Sequence, residues 1–133
     1  MPHELKIRVY YEDTDLAGIV YYANYLKFIE RGRSEMLRAY GIDQAALRDN
    51  NGIVFAVRRV EADYLRVAKF DDMLTVTTSV ERITGARIVL HQVVSCENIT
   101  IFCAVVTIVA LDKSGAAARL PVAVSDILAN PSV

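Results

Sequence analysis

Residues 23–41 read Ala23-Asn-Tyr-Leu-Lys-Phe-Ile-Glu-Arg-Gly-Arg-Ser-Glu-Met-Leu-Arg-Ala-Tyr-Gly41, and the reading of this stretch decides the fold. Tyr25, Phe28, Ile29, Gly32, Met36, Leu37 and Tyr40 recur at helical spacing and form one apolar face. Lys27, Glu30, Arg31 and Arg38 take the other face, so a helix is predicted from about Ala23 to Tyr40. Gly41 stands where a helix end favours a residue that tolerates positive φ. Gly32 lies mid-helix on the apolar face, where glycine costs roughly 1 kcal/mol against alanine. A close approach of the helix to a sheet explains that choice better than a kink.

Outward from the helix, nearly everything is strand. Upstream, Leu5, Ile7, Val9 and Tyr11 alternate with Lys6, Arg8, Tyr10 and Glu12, the pattern of a half-buried strand, and a break follows at residues 13–18. Downstream, residues 42–52 read as a short helical turn and a loop ending in Asn50-Asn51-Gly52. Ile53, Phe55 and Val57 share one parity and Val60, Ala62 and Tyr64 the other, which predicts a β-bulge or bend at Arg58-Arg59. Strands follow over 73–83, 87–97 and 100–111. The last is apolar on both faces and is expected at the centre of the sheet. Gly115 and Pro121 mark a tail with no predicted element. A strand, a long helix and four consecutive antiparallel strands make an α+β layered domain spanning residues 1–133. One helix covers only part of a five-stranded sheet, and a homo-oligomer is the simplest source of further cover.

Composition narrows the function. The chain has 133 residues, 53% of them hydrophobic, enough for one packed core. No apolar run reaches the roughly 18 residues of a membrane span. The N-terminus enters a strand pattern directly, so no signal peptide and a cytoplasmic location are expected. The formal net charge is −1 and the basic residues are scattered, which argues against nucleic-acid binding. Cys96 and Cys103 are too few for a disulfide framework and are expected to be buried small hydrophobes. With His3 and His91 far apart, no zinc-site spacing arises.

The chemistry is concentrated in Tyr10–Tyr25, where three acids within four positions precede a glycine and an apolar run into the helix. A calcium loop on Asp13 and Asp15 fails, because Ala17 and Asn24 occupy ligand positions. An aspartyl-phosphate nucleophile fails for want of downstream βα units. Glu12 and Asp13 are read as loop-forming acids. Asp15 abuts Leu16-Ala17-Gly18-Ile19-Val20, and a carboxylate beside an apolar cleft is partly desolvated, which suits a base or nucleophile. The helix begins shortly downstream, and its first unpaired N–H groups suit the stabilisation of an oxyanion. Together they suffice to attack an activated carbonyl.

The run Val9-Tyr-Tyr-Glu-Asp-Thr-Asp-x-x-Gly-x-Val-Tyr-Tyr-x-x-Tyr25, followed by Phe28-x-Glu30-Arg-x-Arg-x-Glu-Met-Leu-Arg38, resembles the YbgC-type acyl-CoA thioesterases. These belong to the 4-hydroxybenzoyl-CoA thioesterase branch of the hotdog superfamily. The resemblance continues through Val57-Arg58-Arg59, Ala62-Asp63-Tyr64 and Phe70-Asp71-Asp72-Met73-Leu74, fading after about Leu111. It implies a hotdog fold, a long helix wrapped by a curved antiparallel sheet, with active sites at the interface of a dimer that often pairs into a tetramer. It implies hydrolysis of an acyl-CoA to free acid and CoA, with no cofactor beyond the CoA of the substrate. The catalytic residue falls on Asp15, as general base or nucleophile, and the oxyanion donor on the backbone N–H of Tyr22. Gly18, Val20 and Tyr21 are implied to flank the substrate, Tyr21 by lining the acyl pocket. Asn24 is either a site residue or a structural cap. Thr84, Gly85 and Arg87 fall where relatives contact the CoA nucleotide, although some relatives carry Ser or Thr at position 87. Arg58 and Arg59 either bind phosphate or are solvated. A hydratase is excluded because the segment lacks a histidine. The rival is a scaffold: YbgC-type relatives accompany the Tol–Pal envelope system and are linked to acyl carrier protein and phospholipid-synthesis enzymes.

Overall fold

The computed structural model describes residues 2–130. Five strands, β1 (His3–Arg8), β2 (Val54–Tyr64), β3 (Met73–Thr84), β4 (Arg87–Cys96) and β5 (Ile99–Leu111), form one antiparallel sheet ordered β1-β3-β4-β5-β2. Helix α1 (Asn24–Ala39) lies against it, burying Tyr25, Phe28, Ile29, Met36 and Leu37. Their partners in one core include Leu74, Val76, Leu90, Val94, Phe102, Val106 and Ile108.

The helix ends as its sequence demands. Gly41 has φ +82°, its N–H donates to Arg38 O at 3.0 Å, and Ile42 N–H reaches back to Leu37 O at 2.9 Å. That is the paired closure of a Schellman motif, with Leu37 and Ile42 both in the core. Gly32 is the close approach anticipated above. A Cβ there would lie 2.6 Å from Val76 Cγ1 and 3.1 Å from Thr78 Oγ1. At the same seam the fully buried Gln92 donates to Ile29 O (2.8 Å) and Thr78 Oγ1 (2.9 Å) and accepts from Arg33 Nη1 (3.1 Å). Burial without such partners would cost the amide about 1–3 kcal/mol.

The bulge falls where the parity switch predicts it. The β2–β5 register slips between Val57 and Arg59, leaving Arg58 between them. The four later strands follow one another along the chain as expected, and in the sheet β2 crosses to the far edge and pairs with β5 rather than β3. Three expectations need correction. Strand β5 is therefore interior but not central, and β4 holds the middle. The tail carries a helix, Val122–Ala129, which buries Val124 and Leu128. Cys96 and Cys103 are half-buried rather than buried, Cys103 alternating with the inward Phe102 and Ala104. The crossing of β2 matters for the site, because its return to β3 runs through residues 65–72, past the segment between β1 and α1.

Candidate active site

Residues 13–21 fold back on themselves as a small hairpin. Tyr21 N–H donates to Asp13 O at 2.9 Å, Thr14 and Val20 form an antiparallel bridge, and Asp15 N–H donates to Ile19 O at 2.9 Å. The turn at the tip closes with Gly18 N–H on Asp15 O at 3.0 Å. Gly18 has φ +79°, the left-handed conformation that completes a three-residue hairpin loop. The Asp15 carboxylate takes part: its Oδ1 accepts from Ala17 N–H at 2.9 Å, an Asx turn. Backbone and side chain of Asp15 are thus both held at the tip, and among the described residues Oδ2 makes no hydrogen bond.

The base of the hairpin is tied from both sides. Asp13 Oδ2 accepts from Tyr10 N–H at 2.8 Å, and Asp13 O accepts a second bond from Asn24 Nδ2 at 2.9 Å. Asp13 is accordingly a loop-forming acid, and the Asn24 amide braces the hairpin against the helix start. On the other side Val20 N–H donates to Ala68 O at 2.8 Å, and Ile19 bridges Lys69. The backbone of Ala68 also faces the hydroxyl of Tyr25 on α1. The β2–β3 connection therefore clamps hairpin and helix together.

Tyr22 lies directly beyond this base, one residue before the helix cap Ala23. Among the described residues no acceptor takes its N–H, so the donor faces no competition within the chain. Its ring joins an aromatic group that the sequence did not reveal. Tyr22 meets Tyr21 and Tyr64 edge-on, at 5.0 and 6.0 Å between centroids. Tyr64 meets Tyr25 at 5.6 Å and Phe102 at 5.0 Å, and Tyr25 stacks on Phe102 at 5.1 Å. The Tyr64 hydroxyl also donates to the Tyr22 carbonyl at 3.1 Å. Burial raises the pKa of both Tyr25 and Tyr64, which favours the protonated hydroxyl in each. The periodicity of β2 placed Tyr64 on an inward face, but nothing local linked it to Tyr22.

Two site expectations change. Asp15, Leu16 and Ala17 are all exposed, so this chain by itself does not supply an apolar cleft around the carboxylate. Val20 is buried in the core, and its side chain faces the interior rather than an open pocket. Gly18, Tyr21 and Tyr22 lie together on the exposed side of the same segment.

Thr84, Gly85 and Arg87 lie elsewhere. They form the β3–β4 hairpin, whereas Asp15 lies beyond the opposite end of β3, roughly 35 Å of strand away. There Arg58, Arg59, Glu61, Glu81, Arg82, Thr84 and Arg87 line an open groove of about 640 Å³. Arg59 pairs with Glu61 at 3.3 Å in the open, an exposed contact of little energetic weight. Among the described residues no group of three or more His, Cys, Asp and Glu side chains is placed to hold a metal ion, and no helix is long and apolar enough to cross a membrane.

A five-stranded antiparallel sheet packed on one long helix, with an acid at the tip of the hairpin that leads into that helix, defines a class of protein. Residues 17–103 match the family model of the thioesterase superfamily, and the chain belongs to that family. Within it, the sequence sits with the YbgC-type hotdog thioesterases. It is 45% identical over 86 residues to the acyl-CoA thioesterase YbgC of Haemophilus influenzae, covering 65% of this chain and 63% of that one. It is 41% identical over 107 residues to the acyl-CoA thioester hydrolase YbgC of Escherichia coli O157:H7, covering 80% and 79%. Among solved structures, a probable thioesterase from Bartonella henselae superposes with a TM-score of 0.88 at 38% identity, over 91% of this chain and all of that one.

Proposed function

We propose that this protein hydrolyses acyl-CoA thioesters to free acid and CoA, with Asp15 as general base or nucleophile and the Tyr22 N–H as oxyanion donor. The observation that carries this reading is the sequence of features itself: an acid residue held by two backbone hydrogen bonds and one to its carboxylate, followed by a helix-start N–H that no acceptor takes among the described residues. As the carbonyl carbon becomes tetrahedral, negative charge collects on its oxygen, where a preorganised N–H is worth most. If Asp15 is the base, it takes a proton from the attacking water. If it is the nucleophile, it forms a mixed anhydride that water then cleaves. In both routes the electron pair of the broken C–S bond leaves with the CoA sulfur. The family membership and the YbgC relatives support the same chemistry.

The active unit we propose is a homo-oligomer in which β2 pairs with β2 of a second copy. Strand β2 is an edge of eleven residues, with Val54, Val57, Val60 and Tyr64 exposed, and an edge of that length and character calls for cover. Antiparallel pairing would set the far end of one chain against the Tyr64 end of the other. That answers the separation of Asp15 from Thr84, Gly85 and Arg87, which is longer than an extended pantetheine arm. Arg87, with Arg58 and Arg82 in the same groove, would hold the CoA phosphates delivered to the partner's acid. The second copy would also desolvate the exposed Asp15, and further pairing of dimers would give a tetramer. Acyl-CoA places the activity in the cytoplasm, where an acyl carrier protein is a second carrier of the same thioester.

The test is release of free CoA from a panel of acetyl-, hexanoyl-, palmitoyl- and benzoyl-CoA, followed with a thiol reagent. Turnover of at least one member is expected. No turnover, with stable capture of acyl carrier protein, would transfer the proposal to the scaffold reading.

A further inference from the structure

We infer that Tyr64 is a positioning residue for the oxyanion donor, because its hydroxyl holds the carbonyl of Tyr22, the residue whose N–H faces the developing charge. The inference rests on the thioesterase reading above and adds to it a residue 42 positions away on another element.

The local backbone shows why an outside hand is needed. Tyr22 precedes the helix cap Ala23, and the first carbonyl of the helical ladder is that of the cap, so the Tyr22 carbonyl lies outside it. Leu26 N–H donates to Ala23 O at 3.2 Å, and among the described residues no backbone N–H donates to Tyr22 O. The Tyr64 hydroxyl supplies the missing donor. Without it, no hydrogen bond among the described residues holds the Tyr22 carbonyl, and the Tyr22 backbone gains freedom at the reacting position. A donor that must reorient during the reaction loses much of its value.

Tyr64 is well placed for this role because it is itself held. It is the last residue of β2 and pairs with Phe102 in the ladder. Its ring rests edge-on against Phe102 and Tyr25, both buried, and against Tyr22. Tyr25 is in turn held by its stack on Phe102 and its edge-on contact with Phe28. Tyr64 therefore carries the rigidity of the sheet to the first turn of α1. It also stands on the edge strand proposed to meet the second copy, so pairing of the copies and order at the oxyanion donor are linked.

The experiment is Tyr64→Phe in the full chain, which removes the hydroxyl and keeps the ring that packs on Tyr22, Tyr25 and Phe102. With the fastest substrate of the panel, kcat is expected to fall about tenfold with KM within twofold of wild type and oligomer mass unchanged. A second readout uses Asp15→Asn to hold carbonyl-¹³C-labelled thioester unhydrolysed. Its bound carbonyl stretch is expected below the value in water, and adding Tyr64→Phe should move it back up. A Tyr64→Phe kcat within twofold of wild type, a parallel rise in KM alone, or a carbonyl band that does not move would each overturn the inference. Full activity in Asp15→Asn would instead overturn the catalytic reading itself, and this inference with it.

Discussion

The amide of Asp15 donates to the carbonyl of Ile19 at 2.9 Å, which closes a short hairpin and leaves the Asp15 carboxylate at its tip. The turn that makes this possible depends on Gly18, whose φ of +79° is open to glycine and asparagine and strained for other side chains. No atom lies within 4 Å of a Cβ added there, so the penalty is conformational and not steric. Gly18→Ala should lower stability by about 1 kcal/mol and kcat by about tenfold, as the turn relaxes and the carboxylate shifts. Gly18→Asn should recover most of both losses. Chemical denaturation and steady-state kinetics on the two variants check this directly.

Shared sites make a stricter demand on the assembly. If Asp15 of one chain works with Arg87 of another, Asp15→Asn and Arg87→Ala are each defective as pure proteins. Unfolding and refolding them together should restore part of the activity, because some mixed dimers contain one site with both residues intact. Sites contained within one chain would show no recovery on mixing.

The seam between α1 and the sheet tolerates no added atom. Gly32→Ala places a Cβ 2.6 Å from Val76 Cγ1, beside the Gln92 amide that bridges Ile29 O and Thr78. Overpacking of this kind costs about 1–3 kcal/mol, against which alanine recovers roughly 1 kcal/mol of helix propensity. A net loss of up to about 2 kcal/mol is expected from urea denaturation, with KM little changed.

Alkaline pH acts on the aromatic group. Burial raises the pKa of Tyr25 and Tyr64 above the ordinary tyrosine value. The unfolded chain therefore loses these protons first as pH rises, and the native state binds more protons than the unfolded one. The stability they contribute is complete below about pH 10 and declines above it. Thermal denaturation from pH 8 to 11 should show that decline, and it should be smaller in Tyr64→Phe.

Much of this was legible in the sequence, and the parts that were not share a physical cause. Helix α1, its Gly41 closure, the contact at Gly32 and the bulge at Arg58 are local patterns that burial then enforces. Asp15 and Tyr22 stand seven residues apart in one segment, so their nomination as a pair rested on local sequence alone. The pairing of β2 with β5 is non-local, and parity fixes which face a residue takes but not which strand lies beside it. The hydrogen bond from Tyr64 to Tyr22 follows from that pairing and was equally hidden. The helix Val122–Ala129 is short, has no side-chain cap and begins after Pro121, so its signal was weak. Desolvation of Asp15 was inferred from its apolar neighbours, of which Leu16 and Ala17 prove exposed while Val20 turns into the core.

Catalysis by Asp15 is tested most directly by the rate of CoA release from the best substrate of the panel, wild type against Asp15→Asn. The variant should keep its fold and oligomer mass and lose at least about two orders of magnitude in kcat, as expected when a general base is removed. An Asp15→Asn protein that released CoA as fast as wild type would contradict the mechanism.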